Sequence, residues 1–187
     1  FVNSVRRGYI GLISSSGTGM QEVACLIDRL GLGISQAYGT GGRDMLDAVG
    51  AVTTLEALER LEHDEGTGAI VLVATRPGPA VRQLLAERFA RLQKPLIVRY
   101  MGSESEELAS LPHVRRAKDL SEAARLAAIS IAPMLDTSEL ENPMPGPAEA
   151  QSFIKDGKKT SPAAKKFVRG LFVGNALCHE ALEIMRP

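Results

Sequence analysis

The apolar positions along the chain fall into short unbroken runs alternating with helical stripes. Tyr9-Ile-Gly-Leu-Ile13 is the first run and ends in Ser14-Ser-Ser-Gly-Thr-Gly19. Met20, Val23, Ala24, Ile27 and Leu30 follow on one helical face, with Gly31 as the stop. Ile34-Ser-Gln-Ala-Tyr38 leads into Gly39-Thr-Gly-Gly-Arg-Asp44, and Thr53 or Thr54 is placed to cap a helix carrying Leu55, Leu58 and Leu61. Ala69-Ile-Val-Leu-Val-Ala74 is apolar throughout, as a strand covered on both faces should be. Val81, Leu84, Leu85, Phe89 and Leu92 mark the next helix, and Pro95-Leu-Ile-Val-Arg-Tyr100 a fourth strand. A weak fifth, His113 to Ala117, precedes a helix with Ala124, Ala127, Ala128 and Ile131.

Strands alternating with helices predict right-handed crossovers and a parallel sheet. Five such units in residues 1–132 predict a doubly wound, flavodoxin-like sheet of order 2-1-3-4-5. In that order the topological switch lies between strands 1 and 3, and ligands bind outside the carboxyl ends of the strands there. The loops delivered to that place are Ser14 to Gly19 and Thr75-Arg-Pro-Gly-Pro79. Residues 133–165 read as a linker, proline-rich and acidic first (Asp136, Glu139, Glu141, Glu149) and then basic (Lys155, Lys158, Lys159, Lys165). Residues 166–187 read as one further strand and helix: either the start of a truncated following domain or a tail that docks on the front one. Phe167-Val168 and Leu171-Phe-Val173 would form the strand.

Composition narrows the function classes. The 22 basic and 22 acidic residues cancel, so no global field attracts nucleic acid or an anionic membrane. No run of about 18 apolar residues offers a membrane span. The first residues, Phe-Val-Asn-Ser-Val-Arg-Arg, have neither an initiator Met nor an apolar signal core, and read as a chain cut from something longer. Two cysteines, Cys25 and Cys178, suit a reducing cytoplasm, and with three histidines they provide no zinc-ligand spacing. No bound metal is expected.

A strand followed by Ser-Ser-Ser-Gly-Thr-Gly and a helix can hold an anion. The first helical N–H groups have no partner inside the helix, and the dipole adds about half a positive charge there. Ser14, Ser16, Gly17, Thr18 and Gly19 form the candidate site. The plain alternative is that Ser16 or Thr18 merely caps the helix, and spacing alone leaves the two level because the loop fits neither common phosphate-loop pattern. Gly41, Gly42, Thr75, Arg76 and Ser103 are further candidates around it. Arg76 could reach an anion at the switch point, or be a solvated loop arginine. His63 falls at a helix end and His113 at the amino end of strand 5, both structural positions, and Cys25 has no histidine near it in sequence. No catalytic residue is assigned.

The segment Ile10-Gly-Leu-Ile-Ser-Ser-Ser-Gly-Thr-Gly-Met-Gln-Glu22 resembles the strand, Ser-x-Ser-Gly-Thr and helix of the succinyl-CoA synthetase alpha subunit, within the NDP-forming acyl-CoA synthetase superfamily. Gly33 to Asp44 and Ala69 to Ala74 are similar to the following units of the same CoA-ligase domain. Arg169-Gly-Leu-Phe-Val-Gly-Asn-Ala-Leu-Cys-His-Glu-Ala181 resembles the signature of FdrA-type proteins, which are linked to oxamate carbamoyltransferase in allantoin breakdown. The resemblance implies a phosphate site at Ser14, Ser16, Gly17 and Thr18. It departs where the family's active histidine would fall, on Ser103, and where the glutamate that steadies it would fall, on Thr75.

Two functions follow as expectations. One is a cytoplasmic component of a larger FdrA-type complex that binds a small phosphorylated substrate such as carbamoyl phosphate, inactive alone and needing other domains or subunits. CoA would be held, if at all, elsewhere in a full-length protein. The other is a non-catalytic assembly or regulatory domain that kept the CoA-ligase fold. Neither involves nucleic acid or membrane, and the C-terminal segment offers a route to a homo-oligomer.

Overall fold

The computed structural model describes residues 4–101, 111–141 and 170–184. Its centre is a five-stranded parallel sheet in the order β2-β1-β3-β4-β5, as the alternation of elements predicts. The strands are β1 (Arg7–Ser14), β2 (Ile34–Gly39), β3 (Ala69–Thr75), β4 (Leu96–Met101) and β5 (Val114–Arg116). Among the described residues six helices accompany them: α1 (Gly17–Arg29), α2 (Val52–His63), α3 (Pro79–Phe89), α4 (Leu120–Ile131), a single turn α5 (Ser138–Glu141) and α6 (Asn175–Ile184).

The unbroken apolar runs are explained by two cores. On β3, Val71 and Val73 face one layer with α1, α4 and the start of α6, while Ile70, Leu72 and Ala74 face the other with α2 and α3. Side chains alternate across a strand, so only a strand buried on both faces is apolar at every position. The α1 stripe is buried as its spacing predicts, and the helix ends where Gly31, at φ +79, turns the chain toward β2.

The start of α2 differs from expectation. Its N-cap residue is Ala51, in the left-handed region and with no side-chain oxygen, and neither Thr53 nor Thr54 caps it. The buried carboxylate of Asp44 does so from the preceding loop. It accepts the N–H groups of Thr53 and Thr54 at 3.0 and 2.9 Å and the Thr54 hydroxyl at 2.7 Å. Asp47 in the same loop accepts the N–H of Val81 in the first turn of α3. One loop therefore terminates two helices.

The C-terminal segment also differs. Leu171–Val173 is not a strand, and Phe167 and Val168 lie outside the described residues. Leu171 and Val173 lie exposed, and Gly174 brings the segment against Thr18 in the first turn of α1. The helix after it forms, and it docks on α1 and β4 of the same chain.

Candidate functional site

The carboxyl ends of β1, β2 and β3 are laced together by loop hydrogen bonds. Ser15 N–H donates to Val73 C=O at 3.0 Å, and its hydroxyl accepts Thr75 N–H at 2.9 Å. Thr40 N–H donates to Ser14 C=O at 2.9 Å, which brings Gly41 and Gly42, both exposed, to the same end of the sheet. Gly78 N–H donates to Met45 C=O at 2.9 Å, tying the loop that carries exposed Arg76 to the loop after β2. The switch between β1 and β3 is thus a fixed mouth formed by three loops.

Within it, each serine has a different task. Ser14, 2% exposed, turns inward: its hydroxyl donates to Ser16 C=O at 2.8 Å and accepts Ser16 N–H at 3.0 Å, which sets the turn into α1. Ser16 is the N-cap, accepting Gly19 N–H at 3.3 Å and sharing a hydrogen bond with the Thr18 hydroxyl at 3.2 Å. The plain cap is therefore present. Of the first-turn N–H groups it engages only that of Gly19. The Gly17 and Thr18 N–H groups lie outside the helical ladder and meet no acceptor among the described residues. Gly17 is exposed and Thr18 half-buried.

A second helix terminus arrives at the same place. Gly174 lies at φ +108, a conformation in which other residues are strained, and a Cβ there would overlap Thr18. Cys178 N–H donates to Gly174 C=O at 3.4 Å, closing the first turn of α6. Buried Ala176 packs on Gly19, where an added Cβ would come within 3.0 Å of the alanine methyl. The first turns of α1 and α6 therefore abut, and each contributes a positive dipole end.

Two glutamates of α6 hold it there. Glu183 pairs with Arg99 of β4, and Glu180 accepts the Leu120 N–H at the start of α4 at 2.7 Å. Burial, the largest influence, pushes the Glu180 carboxyl above the usual range, with Asp119 and Glu183 adding to it; the Leu120 N–H and Arg99 oppose it. A carboxyl with a raised pKa in the folded state favours folding in its neutral form. Its stabilising contribution is full below the ordinary glutamate pKa and is lost as pH rises through the folded value. Glu180→Gln, neutral at every pH and still able to accept from Leu120, should therefore melt higher than the parent at pH 8. The margin should close below about pH 4, where Glu180 is itself protonated. Melting curves across this range check it, and a margin that widens in acid would contradict it.

Of the remaining sequence candidates, Thr75 sits at this mouth, half-buried and bonded to Ser15, and Ser103 lies outside the described residues. His113 contacts Phe89 C=O at 2.8 Å and His63 ends α2 beside Glu59, structural positions as expected. Cys25 and Cys178 are half-buried and form no disulfide. Among the described residues there is no metal-ligand cluster and no helix long and apolar enough to cross a membrane. Sequence reading gave no positioning role to Glu180, Glu183 or Arg99, although Arg99 left a signal: a charge inside an apolar strand buried on both faces requires a partner.

This is a doubly wound α/β domain with a helix-terminus mouth at its switch point, and comparison with known proteins specifies it further. No family model matches the chain. It is 35% identical to the uncharacterized protein YahF of Escherichia coli over 188 residues, 97% of this chain and 34% of that protein. It is 34% identical over 96 residues to the succinate–CoA ligase [ADP-forming] subunit alpha of Methanothermobacter thermautotrophicus, covering 51% of this chain and 31% of that one. The malate–CoA ligase subunit alpha of Methylorubrum extorquens is 33% identical over 90 residues, covering 48% and 29%. The chain spans about a third of the length of these relatives, and half of it is a CoA-ligase-like domain.

Proposed function

We propose that the chain is part of an FdrA-type protein whose mouth at the β1–β3 switch binds the phosphate group of a small substrate. Carbamoyl phosphate or inorganic phosphate is the ligand, and the whole protein acts in carbamoyl transfer. The observation carrying this reading is the meeting of the α1 and α6 N-termini around two backbone N–H groups, Gly17 and Thr18, that have no acceptor among the described residues. Similarity to CoA-ligase alpha subunits supports it over the front half of the chain. In this reading the domain contributes electrostatic stabilisation by fixed donors, with Arg76 free to approach from the β3 loop. The reacting groups and any CoA belong to other parts of the full protein.

Ser103 and Thr75, standing where the resembled family has its active histidine and the glutamate that steadies it, favour a second reading, an assembly or regulatory domain that kept the fold without the chemistry. Titration calorimetry of the full chain separates them. The first reading expects saturable binding of phosphate and carbamoyl phosphate, no binding of oxamate or CoA alone, and about 2.7 kcal/mol of added stability at a hundred times the dissociation constant. Absence of any phosphate heat would leave the assembly reading standing.

A further inference from the structure

Resting on that reading, we infer that the Arg99–Glu183 pair is a positioning device: it fixes α6 on the sheet so that the α6 N-terminus completes the anion site. Arg99 is 3% exposed in the middle of β4, where register pairs it with Val73. Paired residues of neighbouring strands share a face, and Val73 lies against Gly19 in the first turn of α1. Arg99 thus opens onto the layer where α1, α4 and α6 meet. Its guanidinium donates to Tyr100 C=O at 3.1 Å and to the Glu183 carboxylate, and its Nε has no partner among the described residues.

An apolar residue would fill such a position with less desolvation, and buried ion pairs are often no more stabilising than hydrophobic pairs of the same volume. What a directional pair adds is a fixed register for the element that carries it. From Asn175 to Glu183 is about 12 Å of helix. A pin at Glu183 and a second contact from Glu180 to the α4 N-terminus together set the rotation and axial position of α6. The same two contacts place Gly174 and Ala176 on Thr18 and Gly19 at the other end. Apolar packing alone, through Ala176 and Leu177, would hold the helix loosely in rotation.

The test replaces the pair by an apolar one, Arg99→Met with Glu183→Leu, in the full chain, which avoids stranding either charge. Spin labels on the two native cysteines, Cys25 of α1 and Cys178 of α6, report the placement of α6 without any ligand. The parent should give a narrow distance distribution and the double variant a broad one at unchanged sheet content. Phosphate affinity should fall about tenfold, the contribution of one well-placed helix terminus. Arg99→Lys, which keeps the charge, should recover much of both. A double variant with the parent's narrow distribution, or with the parent's affinity for phosphate, overturns the inference. If the parent itself binds no phosphate, the proposed function falls, and the distance distributions still decide whether the pair positions α6.

Discussion

Thr18→Asp should weaken phosphate binding by about a hundredfold while leaving the fold intact or slightly more stable. The two effects separate because the position has two physical roles. As the second residue of α1, whose first turn carries no acid, position 18 welcomes a carboxylate: interaction with the helix dipole contributes about 0.3–1 kcal/mol to stability. As a wall of the mouth, it would set a negative charge against a bound anion. Two like charges about 4 Å apart repel by about 4 kcal/mol at an effective dielectric of about 20, and screening at an open mouth leaves roughly 3 kcal/mol, or a hundredfold. Aspartate is close to threonine in size, so the contact with Gly174 is retained. Calorimetry and a urea melt of the same variant read both effects. Equal phosphate affinity in parent and variant would place the anion elsewhere.

Asp44→Ala should cost about 2–4 kcal/mol of unfolding free energy. Asp44 is 3% exposed and accepts three hydrogen bonds, two of them from the orphan N–H groups at the start of α2. Removing it leaves those donors and the fully buried Thr54 hydroxyl without an acceptor, and Ala51 has nothing to offer in its place. The urea midpoint should fall at unchanged slope. A loss below about 1 kcal/mol would mean that α2 is capped by water instead. Because the same loop carries Gly41 and Gly42, phosphate affinity should fall as well, by less than with Thr18→Asp.

These two residues also mark what could be read along the chain. Thr18 was legible because strand, serine-glycine loop and helix are contiguous, and a helix start reveals its unpaired N–H groups from local spacing. The parallel sheet was legible for a similar reason: Ala69 to Ala74 is apolar at every position only because both its faces are covered. Asp44 was not, because its partners are nine and ten residues away across a loop whose path no periodicity records. Gly174 and α6 were half legible. Their apolar face predicts a helix, but Leu171–Val173 looks like a strand, and only the fold shows these residues exposed with Gly174 set against Thr18 of α1. Arg99 was written as an anomaly, and only the fold names Glu183, 84 residues away, as its partner.

The central claim is that the backbone N–H groups of Gly17 and Thr18 hold a phosphate. Amide chemical shifts of the nitrogen-15-labelled full chain, followed through a titration with inorganic phosphate at constant ionic strength, test it most directly. The account predicts that these two amides move together and saturate, that the amides of Asn175 and Ala176 move with them, and that the amides of β5 stay in place. Saturable shifts elsewhere with Gly17 and Thr18 unmoved, or no saturation at any amide, would contradict it.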